Sequence, residues 1–303
     1  MATQSENHIR IGTRGSKLAL WQANFTAKAL EDLGASTEIV VIKTQGDRVQ
    51  DLPFGKLEGK GFFTKEIEEA LLREEVDLAV HSMKDLPTQN PEGLVITAVS
   101  ERYDPADWLL IRAEQTEKKI FQVKEGGIVG TSSARRKAQM LHYRPDVDIQ
   151  ELRGNVPTRV QKLRDGQYDA IILAAAGLKR LEMNLEDLKL VPLNVKEFVP
   201  APAQGVLAFQ TRSEDKKTRR MVRLLHHSNV ASCTNVERKV LQLMDGGCHV
   251  PLGVYCEQDV MGNFHAWAAW SEDIEAPLRR AQFSSSTTDG MAEQLFANLK
   301  AAL

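Results

Sequence analysis

Short apolar runs alternate with amphipathic stretches over the first two-thirds of the chain. Ile9-Arg10-Ile11-Gly12-Thr13 reads as a strand, and Ser16 as the N-cap of a helix from Lys17 to Leu33. Leu18, Trp21, Phe25 and Ala29 fall on one side of that helix, and Gly34 ends it. The β-branched run Ile39-Val40-Val41-Ile42, within Glu38 to Lys43, predicts a buried strand. Strand, helix and strand in this order open a doubly wound α/β domain. Gly46 to Gly61 has no periodicity and reads as a mobile lid. Thr64 caps a helix whose first turns carry Glu66, Glu68 and Glu69, matching the helix dipole. Asp77 to Val80 returns as a strand and runs into His81-Ser82-Met83-Lys84-Asp85-Leu86-Pro87. Polar residues at the carboxyl end of such a strand face the crevice where open α/β sheets bind ligands.

A second α/β unit follows the same logic. Ile128-Val129-Gly130 is a strand, and the Ser133 region caps the next helix. Asp148 to Leu152 is a strand, Thr158 to Leu163 lies in a helix, and Tyr168 to Ala174 is a buried strand. Both arginine-rich motifs thus fall where strand gives way to helix, a place that favours anions. After about residue 225 the pattern changes. Thr234 and Glu237 read as a capping box for a helix through Met244. Leu252 to Cys256 and Asn263 to Trp270 alternate as half-exposed strands, and Met291 to Leu303 closes as an amphipathic helix. That is a small α+β domain. No short-period repeat or low-complexity tract interrupts the chain.

Composition narrows the classes. With 303 residues and 26% charged residues, the chain has the makeup of a soluble globular protein of two or three domains. A net charge of −2 argues against a general nucleic-acid or membrane-surface binder. The positive charge is local: Thr131 to Arg164 holds eight Lys/Arg against three Asp/Glu. No apolar run nears the ~18 residues of a membrane span, and Met1 to Arg10 has no signal-peptide core. Three cysteines without CxxC spacing give neither a disulfide framework nor a zinc site, so no metal is expected and a reducing cytoplasm is the simplest compartment.

Three places carry candidate chemistry. Arg135, Arg136, Arg153 and Arg159 offer guanidinium forks for carboxylates or phosphates, and Thr131, Ser132 and Ser133 add donors beside them. The alternative is a solvated basic helix face. Asp85, next to Lys84, stands where a carboxylate shuttles a proton or stabilises a cation; alternatively it is a turn residue before Leu86-Pro87. Cys248 follows Gly246-Gly247, so its thiol is a tethered nucleophile or else a small buried hydrophobe past a helix end. Neither GxxxxGK[ST] nor GxGxxG occurs in the right context, which disfavours a nucleotide.

Taken in order, Gly12-Thr13-Arg14-Gly15-Ser16-Lys17-Leu18-Ala19, Gly59-Lys60-Gly61-Phe62-Phe63-Thr64-Lys65-Glu66, His81 to Pro87, Gly130-Thr131-Ser132-Ser133, Arg153-Gly154-Asn155, Ala203-Gln204-Gly205 and Gly246-Gly247-Cys248 closely resemble the hydroxymethylbilane synthase (porphobilinogen deaminase) family. The resemblance runs from about residue 10 to about residue 255 and is weak beyond. It implies two periplasmic-binding-protein-like α/β domains around a cleft, plus a small C-terminal α+β domain. The expected division is 1–102 with 200–222, then 103–199, then 223–303. It also implies a monomeric cytoplasmic enzyme that polymerises four porphobilinogen molecules, with loss of ammonia, onto a dipyrromethane cofactor held by a thioether. Neither nucleic acid nor membrane is an expected partner.

Residue by residue, the resemblance makes Cys248 the covalent anchor. Asp85, with Lys84 and Arg14, becomes the catalytic group, stabilising the cationic methylene-pyrrolenine as ammonia leaves. Ser16, Lys84, Asp85, Thr131, Ser133, Arg135, Arg136, Arg153 and Gly154 would bind the cofactor. Arg14, Arg153, Arg159, Gln204, Phe63, Lys60 and Lys56 would bind substrate. Three positions depart from the family pattern: Gln210 stands where a glutamate is usual, His249 follows Cys248, and Pro157 lies inside the Arg-Gly-Asn motif. Rival readings are a solute-binding protein, which needs neither Cys248 nor Asp85, and a different cysteine-dependent transferase acting on a polycarboxylate.

Overall fold

The computed structural model describes residues 7–44, 64–245 and 250–302. The chain divides into two compact units, Met1–Tyr103 with Val206–Ala231 and Asp104–Gly205 with Ser232–Leu303. In chain order the elements are β1 (His8–Thr13), α1 (Lys17–Asp32), β2 (Ser36–Val41), α2 (Lys65–Leu72), β3 (Leu78–Ser82) and β4 (Leu94–Val99). There follow β5 (Asp107–Arg112), β6 (Ile128–Gly130), α3 (Ala134–Tyr143), β7 (Asp148–Gln150), α4 (Val156–Arg164), β8 (Ala170–Ala174), α5 (Ala175–Arg180) and β9 (Leu188–Pro192). Then come β10 (Leu207–Arg212), α6 (Lys216–Val222), α7 (Ser228–Leu243), β11 (Leu252–Gln258), β12 (Phe264–Trp270), β13 (Arg279–Ser285) and α8 (Met291–Ala301).

The first unit holds a five-stranded sheet in the order β2-β1-β3-β10-β4. β1 runs parallel to β2 and β3, whereas β10 is antiparallel to both β3 and β4. The sheet is therefore mixed rather than wholly parallel. Helices cover both faces: Ala23, Ala27 and Leu30 of α1 pack with Ile9, Ile11, Val80 and Phe209, while Ile67 and Leu71 of α2 pack with Val76 and Ala79. Each fully buried Leu, Ile, Val or Phe among them contributes ~1.5–3 kcal/mol of burial, and each Ala less.

Two expectations fail here for physical reasons. The run Ile39 to Ile42 is not fully buried, because β2 is the sheet edge and Val41 stays 52% exposed. The buried face of α1 is Gln22, Ala23, Thr26, Ala27 and Leu30, not the Leu18, Trp21, Phe25 and Ala29 side. Small residues let the helix lie close to the sheet; Trp21 and Phe25 stack on its flank, with Phe25 49% exposed.

The second unit repeats the layout, with the order β7-β6-β8-β5-β9. β6 is parallel to β7 and β8, and β5 is antiparallel to β8 and β9. Met140 of α3 packs on one face with Leu109, Val129 and Phe198; Val160 and Leu163 of α4 and Leu178 of α5 pack on the other. The C-terminal segment has its own core, in which Val236 and Val240 of α7 and Leu295 and Leu299 of α8 cover β11 and β12. Its sheet is the antiparallel meander β11-β12-β13. The capping-box expectation is overturned: α7 begins at Ser228, so Thr234 and Glu237 lie inside the helix and are fully buried.

Candidate active site

In the first unit, parallel pairing of β1 and β3 sets Ile11 beside Leu78 and Gly12 beside Ala79. The strands therefore deliver Arg14, Ser16, Lys84 and Asp85 to one end of the sheet. Ser16 caps α1 by accepting from Ala19 N at 3.3 Å, and the buried Thr13 hydroxyl donates to Ala19 O at 3.1 Å. These bonds hold the strand-to-helix turn that carries the half-buried Arg14. Beyond β3 the chain makes one 3₁₀ turn, Met83–Asp85, in which Lys84 is half-buried and Asp85 exposed. Ser82 Oγ accepts from Gln22 Nε2 at 2.9 Å, fixing the approach to that turn.

In the second unit two helices begin at one sheet end, because β6 and β7 are parallel neighbours. Ser133 caps α3, and Asn155 caps α4 by accepting from Thr158 N at 3.0 Å. Thr131 is buried and its Oγ1 accepts from Ser133 N at 3.3 Å. Ser132 Oγ donates to Leu152 O at 2.7 Å, tying the two strand-to-helix turns together. Gly154 has φ +111°, a conformation that disfavours any other residue. Arg159 Nε donates to Gly154 O at 2.7 Å, and Arg153 lies 3.9 Å from Glu151. Both edges thus gather backbone N–H groups and guanidinium groups where two helix dipoles begin.

Arg135 and Arg136 stand apart from this half-exposed set. Both are buried, and both pair with Asp107, the first residue of β5. Antiparallel pairing sets Asp107 opposite Ala174 at the carboxyl end of β8, the same sheet end as Thr131. Burial opposes ionisation of Asp107, but the two guanidinium groups overcome it and hold its carboxyl well below the usual carboxylate range. Gln204, expected to touch substrate, is buried and donates to Pro105 O at 2.8 Å and to Asp107 Oδ1 at 3.0 Å.

The match to known proteins decides the family. A family model described as porphobilinogen deaminase, dipyromethane cofactor binding domain, matches residues 9–220. The chain belongs to the porphobilinogen deaminase family. A porphobilinogen deaminase of Chloroherpeton thalassium is 44% identical over 84% of this chain and 80% of its own length. One of Nitratiruptor sp. is 46% identical over 81% and 77%, respectively. Among solved structures, an arginine-specific periplasmic binding protein of Salmonella typhimurium aligns with a TM-score of 0.43 at 9% identity, over 77% of this chain and 97% of that one. As a porphobilinogen deaminase family member the chain is an enzyme, a transferase that polymerises porphobilinogen in tetrapyrrole biosynthesis with a dipyrromethane cofactor.

The residues described fit so acidic a group. Two helix N-termini and four arginines face one sheet end, and the buried cluster holds two guanidinium groups for one carboxylate. Lys56, Lys60, Phe63 and Cys248, together with Gly46 to Gly61 and His249, lie outside the described residues. Among the described residues no helix is long and apolar enough to cross a membrane. Sequence reasoning missed Asp107. Its signal was present: a carboxylate opening the apolar strand Asp107-Trp108-Leu109-Leu110-Ile111 demands a buried cation.

Proposed function

We propose that the family reaction uses Asp85, Lys84 and Arg14 of the first unit and the arginine-rich edge of the second, with the cofactor joined to Cys248 by a thioether. When bound, the cofactor supplies the pyrrole carbon to which the first porphobilinogen is joined. Ser16, Lys84, Thr131, Ser133, Arg135, Arg136, Arg153 and Gly154 hold its carboxylates, while Arg14, Arg153 and Arg159 with Lys56 and Lys60 handle those of substrate, and Phe63 meets its apolar part. Asp85 faces the cation that forms from porphobilinogen as ammonia departs. An anion favours a charge that appears only along the reaction path, so its effect falls on turnover rather than on binding. Four such additions and a final hydrolysis give hydroxymethylbilane.

The observation that supports this reading is the excess of guanidinium groups over carboxylate at Asp107, within the residues that the cofactor-binding family model matches. The enzyme works as a cytoplasmic monomer without nucleic-acid partners, on a three-domain plan of 1–102 with 200–222, 103–199 and 223–303. The test is the intact mass of the native, active protein, with a pyrrole colour reaction on the denatured chain. The adduct should map to Cys248. An unmodified Cys248 in protein that still makes tetrapyrrole would reject the covalent anchor.

A further inference from the structure

A buried ion pair normally balances one cation with one anion, and this cluster does not. Asp107 is fully buried, and the Arg135 and Arg136 side chains are 5% and 8% exposed. Asp107 Oδ2 accepts from Arg135 Nη1 at 2.7 Å; Oδ1 accepts from Arg136 Nη2 at 2.7 Å and from Arg136 Nε at 3.2 Å. Gln204 Nε2 adds another donor to Oδ1 at 3.0 Å. Two cations against one anion leave one net positive charge in a desolvated place, which is costly unless an anion arrives. Arg135 gives Nη1 to Asp107 and to Val199 O; its Nε and Nη2 make no hydrogen bond among the described residues.

The turn that supplies Gln204 is held as firmly as the carboxylate. Ala203 adopts φ +61°, unusual for a residue with a Cβ, and its N–H donates to the buried Glu237 Oε2 at 2.6 Å. Glu237 Oε1 in turn accepts from Cys256 N at 2.8 Å, so α7 and β11 both brace the turn. Gln204 presents its amide to Pro105 O and Asp107 on the same short stretch of chain. Gln204 as a residue is only 1% exposed, and Asp107 Oδ1 is among the acceptors of its amide.

We propose that Asp107 is a positioning residue that sets the Arg135 and Arg136 guanidinium groups to receive a carboxylate of the dipyrromethane group, and that Gln204 acts through Asp107 rather than on substrate. This rests on the reading that the two arginines hold the cofactor. Asp107 holds Arg135 by Nη1 and Arg136 by its Nε/Nη2 fork, while Arg136 Nη1 donates to Ile172 O at 3.0 Å, and it cancels one of the two charges. Gln204 adds a third donor to Asp107 Oδ1, the oxygen that Arg136 also engages. A polar side chain serving substrate would act on each incoming unit; one serving Asp107 acts once, when the cofactor is installed.

The test compares Gln204→Leu, Asp107→Asn and Arg136→Gln in full-length apoprotein made in cells that lack porphobilinogen. Each is incubated with porphobilinogen while the adduct is followed by intact mass, and KM and kcat are then measured on the loaded fraction. Gln204→Leu and Asp107→Asn should slow uptake by about tenfold or more, the effect of losing a charge-assisted hydrogen bond. Loaded Gln204→Leu enzyme should keep its KM for porphobilinogen. A raised KM with normal uptake would overturn the proposal and return Gln204 to the substrate. If Arg136→Gln slows uptake while the other two load normally, the positioning role fails alone. If Arg136→Gln itself loads normally, the underlying assignment of the arginines fails. Should Asp107→Asn not fold, Gln204→Leu decides, because it leaves the buried charges in place.

Discussion

Burial fixes the state of one histidine in the first unit, with a measurable consequence for acid stability. His81 is buried on β3, and its Nε2 lies 3.1 Å from Gln210 Oε1 on β10. Gln210 Nε2 donates to Glu68 Oε1 on α2 at 3.0 Å. A carboxylate only accepts, so Gln210 turns its amide nitrogen to Glu68 and its oxygen to His81. His81 Nε2 must then carry the proton. Desolvation lowers the His81 pKa from 6.5 to about 4, with the Gln210 bond opposing the shift. The unfolded chain binds this proton near its ordinary pKa and the folded chain does not, so the stability present above pH 6.5 is lost as pH falls toward the folded value near 4. Linkage puts the loss from this one group at about 2 kcal/mol by pH 5 and about 3 kcal/mol by pH 4. Urea denaturation at pH 7.5 and pH 5, compared with His81→Asn, should show the wild type losing about 2 kcal/mol more than the variant. Histidine ¹⁵N shifts should show Nδ1 unprotonated and no titration of His81 near neutrality. A His81 midpoint near its ordinary value, or the opposite tautomer, would refute the reasoning.

Two further outcomes are expected. Asp85→Ala should leave melting unchanged, since an exposed side chain on a 3₁₀ turn adds little to the fold, while turnover falls by orders of magnitude. Near-normal turnover would remove its assigned role. Gly154→Ala should cost ~1–3 kcal/mol, because φ is +111° and a Cβ there would meet Thr158 Cγ2 at 2.8 Å. Chemical denaturation reads this directly, and an unchanged midpoint would show that the turn relaxes freely.

The α/β character and the strand-to-helix placement of both arginine motifs were legible because they rest on local chemistry. Ser16 and Asn155 cap helices through their own side chains, and Ser133 sits where a β6-type run meets a helical period. What stayed hidden is non-local. That residues 200–222 rejoin the first domain followed from the family resemblance alone, and nothing in the residues of β10 announces its place between β3 and β4. The exposure of β2 is likewise a matter of strand order, since an edge strand and a central strand share the same β-branched run.

The misplaced capping box shows the same limit at a single residue. Thr234 and Glu237 have the spacing of a helix start, and local pattern alone favours that reading. A helix six residues longer turns the same carboxylate into an interior acceptor for Ala203 N and Cys256 N. Glu237 and Asp107 are therefore charged residues whose meaning lies in what the fold brings to them. A pair of buried acids in a chain of this class is best sought by asking which carboxylates open or interrupt apolar runs, then which distant cations must answer them. Applied to Asp107, that question leads to the basic pair Arg135-Arg136, which the hydroxyls Thr131, Ser132 and Ser133 precede in the sequence.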